Sequence, residues 1–315
     1  MAKKKRRRHK KPKRKAPKGS TLKTNLIRAF AGFGVLIILV VIAGVFVHHI
    51  LFDKYTKEPV TKPQVIKPPT FEVYPEEEIP PREPISKPDL PKKLPKIAII
   101  IDDVCYSKKT AEKFLTLDAV FTFSMLPHNP FQKSIARAAL AKGYEIMLHL
   151  PMEPNEYPKI NPGPGALLTS MSPDQLINQL NKNLDAIPSI KGVNNHMGSK
   201  MTTVSTQLYQ IFSILKKRGL FFVDSRTTAD TLCKPSARLL QVPFAERDVF
   251  IDHIQEPDFI RKQINHLVEI AYSKGEAVGI AHPSTLTYEV LREVLPELKK
   301  KAVLVPASKI VHIIS

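Results

Sequence analysis

Residues 96–103, Lys-Ile-Ala-Ile-Ile-Ile-Asp-Asp, hold five consecutive apolar residues, four of them isoleucine, stopped by two adjacent carboxylates. A short, continuous, β-branched run of this kind reads as a strand buried on both faces, as in a parallel sheet. The same grammar recurs down the chain. Strands are expected at 97–101, 120–125, 144–150, 190–194, 220–223, 249–251, 277–281 and 302–305, with amphipathic helices between them. Ser172-Pro173-Asp174-Gln175 supplies an N-cap, a first-turn proline and a capping-box glutamine. Leu208, Ile211, Phe212 and Leu215 make one helical face, and Ile260, Ile264, Leu267 and Ala271 another. Gly143, Gly219 and Gly275 fall at helix-to-strand exits, where a left-handed residue is wanted. Strict alternation of strand and helix predicts an α/β domain with a parallel sheet, either a (β/α) barrel or an open doubly wound sheet, over residues 96–315.

Upstream of this domain the composition changes three times. Residues 1–28 carry 14 Lys and Arg and no acidic residue. The whole chain of 315 residues has 48 basic and 29 acidic residues, a net +19, and setting aside the 14 leaves 34 against 29, or +5. The charge is therefore a property of the tail and not of a nucleic-acid-binding surface, and no nucleic-acid partner is expected. Residues 29–52, AFAGFGVLIILVVIAGVFVHHILF, contain no Asp, Glu, Lys or Arg. Twenty-four helical residues reach ~36 Å, enough for a hydrocarbon core of ~30 Å, and the run is longer than the apolar core of a cleaved signal. A transmembrane anchor is predicted, with the basic tail in the cytoplasm and everything after it outside. Residues 53–95 form a linker in which 59–95 hold eleven prolines, a composition that favours an extended polyproline stalk. The 43% hydrophobic and 24% charged composition excludes a wholly disordered chain, and two cysteines exclude a disulfide scaffold or a multi-cysteine zinc module.

In parallel α/β folds, sites form at the carboxyl ends of strands. Those positions carry Asp102-Asp103, Pro127-His128-Asn129, His149 to Glu153, Asn194-Asn195-His196, Asp224-Ser225-Arg226, Asp252-His253 and His282-Pro283-Ser284. Asp102-Asp103 could instead cap the helix that follows. Five of the ten histidines nevertheless share this one class of position. Carboxylates with histidines suit a borderline cation such as zinc, which keeps one coordination position open for water. No G-x-S-x-G elbow, P-loop or G-x-G-x-x-G is present, so serine-hydrolase and nucleotide chemistry lack support.

The segments IIIDD (99–103), HLPMEP (149–154), GVNNHMGS (192–199), FFVDSRT (221–227), RDVFID (247–252) and GIAHP (279–283), in this order, resemble the divergent polysaccharide deacetylases. These are a branch of the NodB-like carbohydrate esterase superfamily. The resemblance implies a distorted (β/α) barrel and metal-dependent removal of N- or O-acyl groups from sugars. It implies Asp102 as general base, Asp103 and His149 as ligands of a divalent metal, zinc by preference, and His282 as the acid that protonates the leaving group; His196 is the residue we choose for the other ligand. Glu153, Asn195, Asp224 and Arg226 are expected in supporting roles, with a structural ion pair as the other account of Asp224 and Arg226. Two departures from the superfamily pattern stand out. Glu153 occupies the spacing of a second histidine after His149, and Asn194-Asn195-His196 replaces an Arg-Pro-Pro type motif. Cys105 and Cys233, in an oxidising compartment, are candidates for a disulfide. The expected partners are the bilayer, through residues 29–52, and an extracytoplasmic polysaccharide such as peptidoglycan or an exopolysaccharide. The expected location is a bacterial inner or plasma membrane. The other function compatible with these residues is a glycan-binding or envelope-scaffolding protein that keeps the fold without catalysis.

Overall fold

A computed structural model of the chain describes residues 93–315. The basic tail, the apolar span and all but the end of the proline-rich linker lie outside the described residues, and among those described no helix is long and apolar enough to cross a membrane. Nine strands form one sheet: β1 (Lys96–Ile101), β2 (Thr122–Met125), β3 (Glu145–Met152), β4 (Gly192–Met197), β5 (Phe221–Asp224), β6 (Phe244–Glu246), β7 (Val249–Phe250), β8 (Glu276–Ala281) and β9 (Val303–Leu304). Every strand pairing is parallel, in the order β6-β5-β4-β3-β2-β1-β8-β7. Strand β9 pairs with β1 at Lys96 and Ile97, below the point where β2 joins at Ile100 and Ile101, so both cover the same edge of β1 at different heights.

Among the described residues seven helices pack around the sheet: α1 (Lys108–Phe114), α2 (Gln132–Ala141), α3 (Pro173–Ala186), α4 (Ser205–Arg218), α5 (Cys233–Leu240), α6 (Pro257–Lys274) and α7 (Thr285–Lys301). The expected capping box closes on α3: Ser172 accepts from the Gln175 amide and Gln175 returns a bond to the Ser172 amide. The glycines at the exits of α2, α4 and α6 take positive φ as expected, 81° at Gly143, 65° at Gly219 and 86° at Gly275.

The expected distorted barrel is a parallel half-barrel, with no ladder between its edges among the described residues. Edge strands β6 and β7 are separated in sequence by only Arg247 and Asp248, so the chain itself joins the two edges. Alternation is also not strict, because β6 was not expected and no helix lies between it and β7. Three residues beside a turn give too little periodicity to read, and pairing with Phe222, Val223 and Asp224 of β5 is what makes them a strand.

The strands are buried on both faces, and alternation sorts their residues. On β1, Ile97, Ile99 and Ile101 pack towards the helices, in the larger apolar cluster. Ala98 and Ile100 join Met147, Val223, Val278 and Ile280 in a second, smaller cluster on the concave side, filled from below by Ala307 and Ile310. Continued along each strand, the concave phase reaches Asp102, His149, Asn194, His196, Ser225 and His282. The inner face thus changes from apolar to polar at the carboxyl ends, and that change of composition makes the site.

Candidate metal centre and its acid–base pair

Asp102 and Asp103 directly follow β1, and neither caps α1, whose N-cap is Ser107. Asp102 continues the strand; its amide donates to the Ala281 carbonyl of β8 at 2.9 Å. Strand alternation would turn Asp103 away from the concave face. Its φ of 54° breaks the alternation and brings the carboxylate beside the histidines. A left-handed non-glycine residue costs of order 1–3 kcal/mol, though aspartate tolerates it better than most. Met197, directly after His196, takes the same conformation at φ 54°.

Asp103, His149 and His196 bring one ligand-type atom each within 4.8 Å of one another, and all three are buried. Asp103 Oδ1 lies 3.5 Å from His149 Nε2 and 3.5 Å from His196 Nδ1, and those two nitrogens are 3.0 Å apart. Both Asp103 oxygens are buried without a hydrogen-bond partner. Leaving a buried carboxylate unpartnered costs several kcal/mol, so such a pair of atoms calls for a cation. Burial pushes both histidines down to about 4, so both are neutral near pH 7, the form in which imidazole ligates a metal. This donor set fits a divalent cation.

Asp102 stands beside this group, its Oδ2 3.7 Å from His149 Nε2. Burial raises its carboxyl to about 7, against the lowering effects of the His282 charge and the Asn194 amide. His282, at the end of β8, forms the second half of the site. Its Nδ1 lies 3.0 Å from Asp252 Oδ1, while Asp252 Oδ2 accepts from the His282 amide at 2.7 Å and from Thr287 Oγ1 at 2.8 Å. Burial alone would lower His282, but Asp252, then Asp103 and Asp102, outweigh it and raise the ring to about 9. The ring stacks on Phe250 with centroids 5.4 Å apart.

Of the residues expected in the site, the structure brings together Asp102, Asp103, His149, His196 and His282. It places the others elsewhere. Glu153 takes the Lys200 ammonium at 2.6 Å and both the amide and the hydroxyl of Thr169, which ties the loop after β3 to the loop after β4. Asn195 lies on the outward phase of β4; its amide donates to the Met197 carbonyl and its oxygen accepts from the Ser225 amide. Asp224, also outward, caps the turn after β5 through the Arg226 amide and Thr231 hydroxyl. The Arg226 side chain pairs with Glu246 at 3.0 Å, so an Asp224–Arg226 ion pair is replaced by two separate structural contacts. The proposed disulfide is absent. Cys105 and Cys233 are both buried free thiols, one in the loop after β1 and the other on the helix after β5, with β2, β3 and β4 between those strands.

Sequence reasoning assigned no role to Asp252, Asn194 or Ser124. The strand phase would have found Asn194, which shares the inward register of His196, and it would have set Asn195 and Asp224 aside. Asp252, a strand-end candidate by sequence, becomes the partner of His282 through the pairing of β7 with β8.

Residues 99–311 match the family model described as divergent polysaccharide deacetylase. The chain is 30% identical over 217 residues to the uncharacterized protein YibQ of Escherichia coli K12, covering 69% of this chain and 67% of that one. It is likewise 30% identical over 210 residues to an uncharacterized protein of Haemophilus influenzae, covering 67% of this chain and 74% of its relative. The crystal structure of the uncharacterized protein ATU2773 from Agrobacterium tumefaciens C58 superposes with a TM-score of 0.67 at 25% identity, over 71% of this chain and 92% of that one.

Proposed function

The chain belongs to the divergent polysaccharide deacetylase family, and on that premise we propose that it is a membrane-anchored hydrolase. It removes acyl groups, acetyl above all, from an extracytoplasmic polysaccharide, either peptidoglycan or an exopolysaccharide. The observation that carries this reading is the Asp103 carboxylate, buried, without a hydrogen-bond partner and facing two neutral histidine nitrogens. Asp103, His149 and His196 would hold the metal, and one oxygen with two imidazole nitrogens is a donor set typical of zinc. A divalent cation held there supplies Lewis acidity to the acyl carbonyl and to the attacking water.

The chain's own residues move the protons. Asp102 takes the proton of the water as its oxygen bonds to the acyl carbon, and its raised pKa of about 7 suits a base working near neutrality. His282, kept protonated by Asp252, gives a proton to the departing amine or alkoxide as the C–N or C–O bond breaks. Thr287 and the His282 amide hold the other Asp252 oxygen, so the imidazole is fixed in direction as well as in charge.

The uncharged run at 29–52 behind 14 basic residues supports the anchor, and the positive-inside rule would then put the domain outside the membrane. Metal analysis of the purified full-length protein, together with acetate release from an N-acetylated glycan, tests the mechanism. Asp103→Ala and His149→Ala are expected to lose both. Unchanged metal content and unchanged acetate release in both variants would sink it.

A second reading has an observation of its own. His149 Nε2 and His196 Nδ1 are 3.0 Å apart, a hydrogen bond that lets the two histidines satisfy each other. A fragment of the envelope machinery that binds glycan without turnover would keep that bond. Glycan retention by metal-free protein, with no acetate released at any metal concentration, would select it.

A further inference from the structure

Asn194 is fully buried on β4, and both ends of its side chain are engaged. Nδ2 donates to both oxygens of Asp102, at 2.9 and 3.1 Å. Oδ1 accepts from the Ser124 hydroxyl and lies 2.9 Å from Nδ1 of His149. Among the described residues Asn194 is the one hydrogen-bond partner of that nitrogen.

The directions of these bonds are not interchangeable. In the ionised form in which it would act as a base, Asp102 only accepts, so the NH2 end of the amide, which lies against both its oxygens, turns to it. Its carbonyl then faces His149, which must present an N–H at Nδ1. The lone pair of the neutral ring is thereby fixed on Nε2. That is the nitrogen 3.5 Å from Asp103 Oδ1 and 3.0 Å from His196 Nδ1. The opposite tautomer would point an N–H into the group of three and block ligation.

We propose that Asn194 is a positioning residue: its amide reads the carboxylate of Asp102 on one side and sets the tautomer of His149 on the other, so that Nε2 is the ligating atom. The inference rests on the function proposed above for the metal and for the role of Asp102, while the hydrogen bonds themselves do not depend on it. A neutral amide at this place does two jobs that a cation could not, because a cation has no acceptor to offer the imidazole N–H. Asn195, on the other phase of the strand, serves the backbone of Met197 and Ser225 instead.

Two variants separate the two ends of the amide. Asn194→Ala removes both, and partners of this kind are worth about 10–100-fold in metal affinity. Asn194→Asp keeps an oxygen to accept from His149 but offers Asp102 no obligatory donor. With zinc affinity of the full-length protein read by competition against a chromophoric chelator, the Ala variant is expected to weaken about 10–100-fold. The Asp variant should stay within a few-fold of wild type, yet release acetate far more slowly. Wild-type zinc affinity in the Ala variant, or equal weakening in both, would overturn the proposal.

A second measurement needs neither metal nor turnover. Long-range 15N–1H spectra of the chelator-treated protein, with His149 assigned by its loss in His149→Phe, should show the Nδ1–H tautomer in wild type and a mixture in Asn194→Ala. An Nε2–H tautomer in wild type would refute the proposal outright. Protein that takes up no zinc but keeps the Asn194-dependent tautomer would remove the proposed function and leave the positioning intact. Zinc uptake that is indifferent to Asn194 would do the reverse.

Discussion

The two halves of the site use the same residue types to opposite ends. On β1, β3 and β4, histidines face an aspartate at 3.5 Å, yet burial holds both rings near 4, neutral at physiological pH. On β7 and β8, a histidine faces an aspartate at 3.0 Å, and its ring rises to about 9. The difference lies in how many acceptors each imidazole meets. His282 is hydrogen-bonded to Asp252 and feels Asp103 and Asp102 as well. His149 gives its Nδ1 to a neutral amide, and each of the paired rings repels a proton on the other or on His282. In the proposed function the neutral imidazoles would ligate and the charged one would donate a proton, so one kind of side chain would serve two purposes within a single concave face.

The comparison breaks most visibly if the first half is emptied. Asp103→Ala should remove the metal, and Lewis acidity worth several kcal/mol would go with it. Acetate release should then fall by at least about 1,000-fold, while thermal unfolding remains cooperative. The second half should fail differently. His282→Ala is expected to keep full metal content and lose about 100- to 10,000-fold in kcat; metal loss in this variant would show that the halves are not independent.

A pH series sharpens the same contrast. His282 faces Asp252, Asp102, Asp103, His149 and His196, and its raised pKa means that protonation favours the folded state. That contribution is complete below about 6.5 and is lost as pH rises through about 9. Stability of wild type relative to His282→Gln, measured by denaturant unfolding of metal-free protein, should decline across this window by up to about 3 kcal/mol. A difference that is flat between pH 6.5 and 9 would contradict the raised value. The smallest effect is expected at Glu153. Replacing it by alanine removes the tie to Lys200 and Thr169, at about 1–3 kcal/mol, without changing metal content. Lost metal would add Glu153 to the ligand set, against its contacts with Lys200 and Thr169.

Strand ends were legible in the sequence because a buried parallel strand writes itself as a continuous apolar run, and the polar residue that stops it marks the carboxyl end. Five site residues followed from that rule and from the family resemblance. Strand ends alone do not give direction; strand phase gives it for Asp224 but not for Asp103. Asp103 enters the site by a backbone reversal, whereas Asp224 ends an equally apolar strand and points outward. Glu153 sits one helical turn's spacing from His149, but a strand and a loop, not a helix, carry it, so the spacing does not aim it at the same point. Cys105 and Cys233 share a loop face by sequence but not by strand order.

Strand β1 pairs with β8 over its whole length, Lys96 with Glu276 through Ile101 with Ala281. The two aspartates therefore hang from a strand whose main partner is made 180 residues later. At ~5–20 residues per second of synthesis, roughly 10–40 seconds separate the two. Until then the concave face lacks Val278 and Ile280 from its apolar floor and has no His282 to act on Asp102. Completion of the pair formed by Asp102 and His282 is in this way deferred to the end of the domain's translation, whereas Asp103, His149 and His196 hang from strands that β2 joins without β8.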